Sequence, residues 1–98
     1  MIQISGKATK KPVEIDWFLY RGYSVTNLKE LMAWVQSFKI DFHAAFEFGP
    51  GGPEDLRVKT LEGTSYTVPN GYIIIRGVQG EFYPCDPQIF RETYSINQ

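Results

Sequence analysis

The side chains best suited to chemistry are concentrated near the C-terminal end of the sequence, at residues 81–86. This run holds two carboxylates, two aromatic rings and a thiol, a set that could hold a planar ligand by stacking. The same residues have structural interpretations, because Phe82 and Tyr83 suit a strand and Asp86 suits a helix cap. We favour the structural interpretation, so the run does not define a site by itself.

The single cysteine, Cys85, could act as a nucleophile only with a base within hydrogen-bond reach. The single histidine, His43, is not placed there by anything in the sequence, and it falls on the polar phase of an alternating segment. A position near the positive end of a helix would lower the pKa of Cys85, although a buried thiol is the more common role. One cysteine and one histidine exclude a disulfide framework and multi-histidine or thiolate zinc sites. We therefore expect no enzyme activity, metal or cofactor.

Arginines near tyrosines offer a second kind of site. Arg57 and Arg76, if they share a sheet face, could bind an anion or a nucleotide phosphate. Trp34 lies beside the apolar stripe of a predicted helix and is either the edge of the core or an exposed anchor. The candidate residues for binding a ligand or partner are Trp34, Arg57, Tyr66, Arg76 and Tyr83.

The charge balance argues against a general polyanion binder, because the formal net charge is −1. Lys7, Lys10 and Lys11 form a small basic cluster, either a solvated arm or a contact to phosphate or an acidic partner. Residues 41–55 are acidic, either as a solvated face or as a patch that meets a basic host protein or imitates nucleic acid, and the net charge of −1 argues against imitation. The acidic residues of this segment are Asp41, Glu47, Glu54 and Asp55.

The 98 residues are predicted to form one domain, and a 15% aromatic content argues against disorder. Residues 1–10 are expected to be an N-terminal arm, and the glycines and prolines of 49–53 a flexible loop. No export signal and no apolar run of about 18 residues is present, so we expect no membrane contact. A free thiol without an export signal fits the cytoplasm.

The N-terminal half is predicted to form a strand, a helix and a second strand. Apolar residues alternate over 13–20, which indicates a strand. Asn27 and Glu30 resemble a capping box, and helical spacing follows, so we expect a helix over 27–38. Alternation over 39–48 predicts the second strand.

The pattern of the C-terminal half predicts strands joined by tight turns, and strands joined in this way pair antiparallel. The predicted strands are 57–61, 65–68, 72–76, 81–85 and a final edge strand at 93–96. Asp86 and Pro87 predict a short helix over 87–91. The expected fold is α+β: an antiparallel sheet, meander or curled, of six to seven strands, with one amphipathic helix on a face and a short C-terminal helical turn.

Blocks at both ends of the sequence resemble a family of small phage and prophage proteins. The first is Lys-Lys-Pro-Val-Glu-Ile at 10–15, with Lys-Thr-Leu-Glu-Gly at 59–63. The second runs over 69–94 and contains Gly-Glu-Phe-Tyr-Pro-Cys at 80–85, then a proline, an Ile-Phe pair and a Thr-Tyr pair. The family usually has Pro-Gly-Asp where this chain has Pro-Asn-Gly at 69–71. The resemblance covers about half the chain, implies a phage accessory protein and assigns no catalytic residues.

We therefore expect a non-enzymatic binder of phage origin that acts in the host cytoplasm, most simply in counter-defence. Two modes stay open: covering a host immune protein, or sequestering a nucleotide signal in an aromatic- and arginine-lined pocket, within one chain or in a homo-oligomer. The alternative is a small single-stranded nucleic-acid-binding module, which needs its cations and tyrosines on one face.

The aromatic residues divide into two groups according to whether their position in the predicted strands and helices faces the core. The group expected in the core contains Trp17, Phe38, Phe42, Phe46, Phe48 and Phe90. The group without an obvious core position contains Phe18, Tyr20, Tyr23, Trp34, Tyr66 and Tyr83. The second group is the best indication of a binding surface that the sequence offers.

Overall fold

The computed structural model describes residues 4–7 and 12–96, so Lys10 and Lys11 of the basic arm lie outside the described residues. The strands are β1 (Asp16–Leu19), β2 (Phe46–Phe48), β3 (Leu56–Lys59), β4 (Ser65–Thr67), β5 (Ile73–Arg76) and β6 (Phe82–Cys85). The helices are α1 (Val25–Gln36), α2 (Phe42–Ala45) and α3 (Pro87–Thr93), with a 3₁₀ turn at Gly52–Glu54. The predicted α+β class is confirmed. In the described part of the chain, no helix is long and apolar enough to cross a membrane.

The six strands form two antiparallel sheets, where the sequence predicted one. The first sheet has the order β1-β5-β6 and the second the order β2-β3-β4. The split occurs at the turn 69–71, where the Gly71 N–H donates to the Tyr20 carbonyl at 2.8 Å. Gly71 has φ +86, which glycine adopts without steric cost. This turn therefore carries the chain from β4 in the second sheet to β5 in the first, beside β1, and does not close a β4–β5 hairpin.

β5 is the centre of the first sheet and is covered on both faces, as predicted from its run of isoleucines. On one face Ile74 joins a core formed with α1, α2 and the second sheet. On the other face Ile73 and Ile75 pack with Phe90 of α3 in a second cluster. Burial on both faces explains why β5 is continuously apolar and does not alternate.

β1 makes apolar contacts on both faces but stays partly exposed, and it is shorter than the predicted 13–20. Phe18 packs against the first core, and Trp17 contacts Phe90 with 5.5 Å between ring centroids. Tyr20, which had no core assignment in the sequence, is only 2% exposed. The strand begins at Asp16 because its pairing partner there, Arg76, is the last residue of β5.

The start of α1 differs from the prediction. Ser24, not Asn27, is the N-cap, and its hydroxyl accepts the Asn27 N–H at 3.0 Å. Asn27 is buried within the first turn, and its side-chain amide donates to the Gly22 carbonyl. The helix ends at Gln36, before the predicted residue 38, and Lys39 follows in the left-handed region with φ +61.

Two predicted strands are wrong. Residues 42–45 of the predicted strand 39–48 form α2, and only Phe46–Phe48 is extended. Phe42, Ala45 and Phe46 are all buried, at a spacing of three and four residues that places them on one side of a helical turn. The predicted edge strand 93–96 is absent from the described chain, because α3 continues to Thr93, whose hydroxyl donates to Ile89.

The C-terminal helix cap is as predicted, and so are the turns that join β3 to β4 and β5 to β6. The Asp86 carboxylate accepts the backbone N–H groups of Gln88 and Ile89, and Pro87 is at the start of α3. The glycine- and proline-rich loop is closed by a hydrogen bond from the Gly49 N–H to the Asp55 carbonyl at 2.8 Å. The flexibility expected of that loop stays a prediction.

Candidate functional site

The two arginines predicted to share a sheet face lie in different sheets. Arg57 is in β3, where its guanidinium donates to both carboxylate oxygens of Asp55 at 3.2 and 3.1 Å. These hydrogen bonds hold the pKa of Asp55 below its usual value and raise that of Arg57. Arg57 is therefore already paired, and the acidic segment 41–55 supplies its partner.

Arg76 is in β5, and its guanidinium carbon lies 4.5 Å from the centre of the Phe38 ring. This position is typical of a cation–π contact. Arg76 therefore covers the edge of the core, and the expected pair of arginines does not form.

The three aromatic candidates are also dispersed. Tyr66 is half exposed in β4 and lies opposite Val58, so it is on the other face of the sheet from Arg57. Trp34 is half buried at the edge of the first core, with ring-centroid distances of 5.5 Å to Phe18 and 5.3 Å to Phe38. Tyr83 pairs with Ile75 on the face covered by α3.

The environment of Cys85 does not lower the pKa of its thiol, as a nucleophile would require. Burial and the neighbouring Asp86 carboxylate raise the pKa of the thiol. His43 lies in α2 and is exposed, while Cys85 lies in β6, so the two do not share an element. Among residues 4–7 and 12–96 there is no group of three or more side chains that could hold a metal ion.

A groove of about 770 Å³ lies beside the start of β1 and the segment that leads into it, and we call it the β1 groove. Its lining is Pro12, Val13, Glu14, Ile15, Asp16, Trp17, Trp34, Phe90, Thr93, Tyr94 and Ser95. Residues 12–15 lead into β1, Trp34 comes from α1, and the last four residues come from α3 and the segment after it. The groove therefore contains aromatic side chains from both faces of the first sheet.

The groove is open because β1 is the edge of its sheet, with β5 as its one neighbour among the described strands. The Tyr20 N–H donates to the Tyr72 carbonyl at 2.9 Å, so the main chain of Tyr20 points toward β5. Main-chain groups alternate in direction along an antiparallel strand. Those of Phe18 therefore also point toward β5, while those of Trp17 and Leu19 point outward.

Large apolar side chains are exposed around this edge. Trp17 is 38% exposed, Leu19 41% and Val13 47%; Ile89 of α3, which does not line the groove, is 56% exposed. Sequence reasoning placed Trp17 in the core and named none of these four as site residues. The alternation of apolar residues over 13–19 is a signal in the sequence. It does not show that Phe90 of α3 covers only part of the sheet face that carries Trp17 and leaves the remainder of that face exposed.

The β1 groove carries negative charge. Glu14 and Asp16 are exposed carboxylates in its lining, and none of the described lining residues is a lysine, arginine or histidine. Arg76 is the cross-strand neighbour of Asp16, but its guanidinium lies over Phe38. The arrangement favours a cationic partner over an anionic one.

Comparisons of this chain with protein-family models, with curated proteins and with solved structures find no match. The geometry of the described residues is therefore the basis for the functional proposals below.

Tyr83 links stability to pH on the face of the sheet covered by α3. Burial and a hydrogen bond with Tyr94 raise the pKa of Tyr83, and burial raises that of Tyr20. The stability contributed by the neutral phenols is complete below about pH 10, the value in the unfolded chain, and is lost as pH rises further. In urea titrations from pH 9 to pH 11.5, Tyr83→Phe is expected to lose stability less steeply than the wild type. Equal slopes for the two proteins would contradict this account.

Proposed function

We propose that the protein is a non-enzymatic binder that contacts a partner protein through the β1 groove. The observation that carries the proposal is a set of exposed apolar side chains, Trp17 among them, beside a strand edge that no described strand pairs. An exposed strand edge can pair with another chain. Aromatic residues are also the ones that most often dominate the free energy of protein–protein binding.

The resemblance to small phage and prophage proteins supports a more specific role. On that basis the protein is a phage accessory protein that acts in the host cytoplasm as a counter-defence factor. Its mechanism is stoichiometric, in that the bound protein covers a working surface of a host immune protein. The carboxylates of Glu14 and Asp16 favour a basic surface on that target.

The sequestration of a nucleotide signal is the less favoured mode. A nucleotide phosphate needs free cations beside the aromatic rings. Arg57 is paired with Asp55, Arg76 lies over Phe38, and the described lining of the β1 groove holds carboxylates without a cation.

The single-stranded nucleic-acid module is disfavoured for a related reason. Tyr66 lies on the opposite face of the second sheet from Arg57 and Lys59, so these residues do not form one surface for stacking and phosphate contact. A filter-binding assay is expected to show no salt-sensitive binding to oligonucleotides. Binding that weakens steeply with salt would favour the nucleic-acid function instead.

Photo-crosslinking in a bacterial host lysate tests the protein-binding function. Benzoylphenylalanine at Val13, in the groove, is expected to crosslink one host protein, whereas the same probe at Leu61 is not. Leu61 is a suitable control because it is 94% exposed in the β3–β4 turn of the other sheet. Adding Trp17→Ala to the Val13 probe is expected to reduce the crosslinked product about tenfold, as loss of a dominant aromatic contact does. Equal crosslinking from both sites, or none, would overturn the proposed function.

A further inference from the structure

We propose that β1 binds an extended, basic segment of the partner as an additional strand of the first sheet. The inference rests on the proposed protein-binding function, and it adds the chemistry of the segment and its binding mode. Strand addition at an exposed sheet edge is an established way to bind peptides, with main-chain hydrogen bonds giving affinity and side-chain pockets giving specificity.

The main chain of β1 offers the hydrogen-bonding groups that strand addition needs. β1 has no neighbour on its outer side among the described strands. Trp17 and Leu19 direct their N–H and C=O groups to that side, because Phe18 and Tyr20 direct theirs toward β5. An added strand would therefore bond to Trp17 and Leu19 without disturbing the ladder between β1 and β5.

Side chains of the added strand would find apolar contacts on both faces of the sheet. Successive side chains of a strand point to opposite faces. On one face, the groove is lined by Trp34, which packs against Phe18. On the other face, it is lined by Trp17 and Phe90, which contact each other. An alternating pattern therefore suits the segment: its apolar side chains would lie on the face of Trp17 and Phe90, and its cationic side chains on the other face, which Asp16 shares with Phe18.

Charge determines which extended segment is favoured. Glu14 and Asp16 are exposed in the lining and take part in no salt bridge within the described residues. Lysine or arginine in the added strand would pair with them, whereas aspartate or glutamate would be repelled. A second copy of this chain is a poorer occupant, since pairing β1 with β1 would bring the carboxylates of both copies along one seam.

Short acetylated peptides test the inference directly. A peptide in which lysine and valine alternate is expected to bind, and one in which glutamate and valine alternate is not. At saturation with the lysine peptide, amide exchange measured by NMR is expected to slow about tenfold at Trp17 and Leu19, as new hydrogen bonds require. Exchange at Phe18, already bonded to β5, is expected to stay the same. N-methylation of the peptide's main-chain amides is expected to weaken its binding about tenfold.

Charge reversal provides matched variants. Glu14→Lys with Asp16→Lys is expected to reverse the preference, so that the glutamate peptide binds and the lysine peptide does not. The control, Glu54→Lys with Glu62→Lys, makes the same change in net charge at exposed positions outside the groove and is expected to keep the wild-type preference.

Three results would overturn the inference. The first is equal binding of the two peptides. The second is binding without protection of the Trp17 and Leu19 amides. The third is protection of these amides that rises with protein concentration in the absence of peptide, which would identify a second copy as the occupant. If Val13 still crosslinks a host protein in any of these cases, the proposed function stands and only strand addition fails.

Discussion

Replacing Phe46 with alanine is expected to lower the free energy of unfolding by about 3–5 kcal/mol, the usual cost of truncating a buried phenylalanine. Phe46 is fully buried at the start of β2, where its ring stacks on Phe42 with 5.1 Å between centroids. It also contacts Phe82 of the first sheet at 5.3 Å. The truncation therefore opens a cavity where α2 and both sheets meet, in a domain whose total stability is about 5–15 kcal/mol.

Urea unfolding followed by circular dichroism measures this effect. Leu61→Ala is the control, because its side chain is 94% exposed and a surface change of this kind costs within about 0.5 kcal/mol. If Phe46→Ala does not fold, Phe46→Leu is expected to give a smaller, measurable loss, since it leaves a smaller cavity. A loss below about 1 kcal/mol for the alanine variant would show that the two sheets do not share one core.

Replacing Asn27 with leucine is expected to cost about 1–3 kcal/mol, because a buried carbonyl loses its donor. Asn27 is 3% exposed, and its side-chain amide donates to the carbonyl of Gly22, which is also buried. Its side-chain oxygen accepts from Arg21 at 3.3 Å. Leucine is similar in size but can make neither contact, so the connection between β1 and α1 loses these two hydrogen bonds.

The neighbouring position supplies the control for Asn27. Thr26→Ala changes an exposed residue in the same turn of α1 and is expected to stay within about 0.5 kcal/mol of the wild type. Both variants are compared by their urea midpoints at equal m-values. Wild-type stability in Asn27→Leu would mean that water satisfies the Gly22 carbonyl.

Features set by neighbouring residues could be predicted from the sequence. The helical spacing after Asn27 identified α1, the Asp86-Pro87 pair identified the start of α3, and the isoleucines of β5 identified a strand covered on both faces. Each depends on a local rule of capping, turn formation or periodicity. Even here the cap of α1 was displaced by three residues, since Ser24 and Asn27 are both good capping residues and only tertiary contact places Asn27 in the core.

Features set by distant pairing could not be predicted. Residues 39–48 fit two patterns at once: alternation, which predicts a strand, and the helical spacing of Phe42, Ala45 and Phe46. The burial of these three side chains in the core favours the helix α2. There are two sheets because β5 pairs with β1 and not with β4. The residues of β1 and β5 are far apart in sequence. No local signal distinguishes these two partners.

The candidate site illustrates the same limit. Arg57 and Arg76 would share a surface in one meander, and they are separated because there are two sheets. Trp17 is on the apolar side of the alternating pattern, which predicts a core position. It is partly exposed because β1 is an edge strand and the seven residues of α3 do not cover it fully. The β1 groove therefore depends on strand order and on the length of α3, neither of which the composition or periodicity specifies.

The lining of the β1 groove also has a practical consequence for handling the protein. Pro12 and Ser95 both line it, so the chain passes the groove on its way into β1 and again after α3. A fluorophore attached at Pro12 or Ser95 would therefore lie in the groove and compete with a partner for space. The β3–β4 turn at Leu61–Gly63 lies in the other sheet and is exposed, which makes it the better attachment point for reporters and immobilisation.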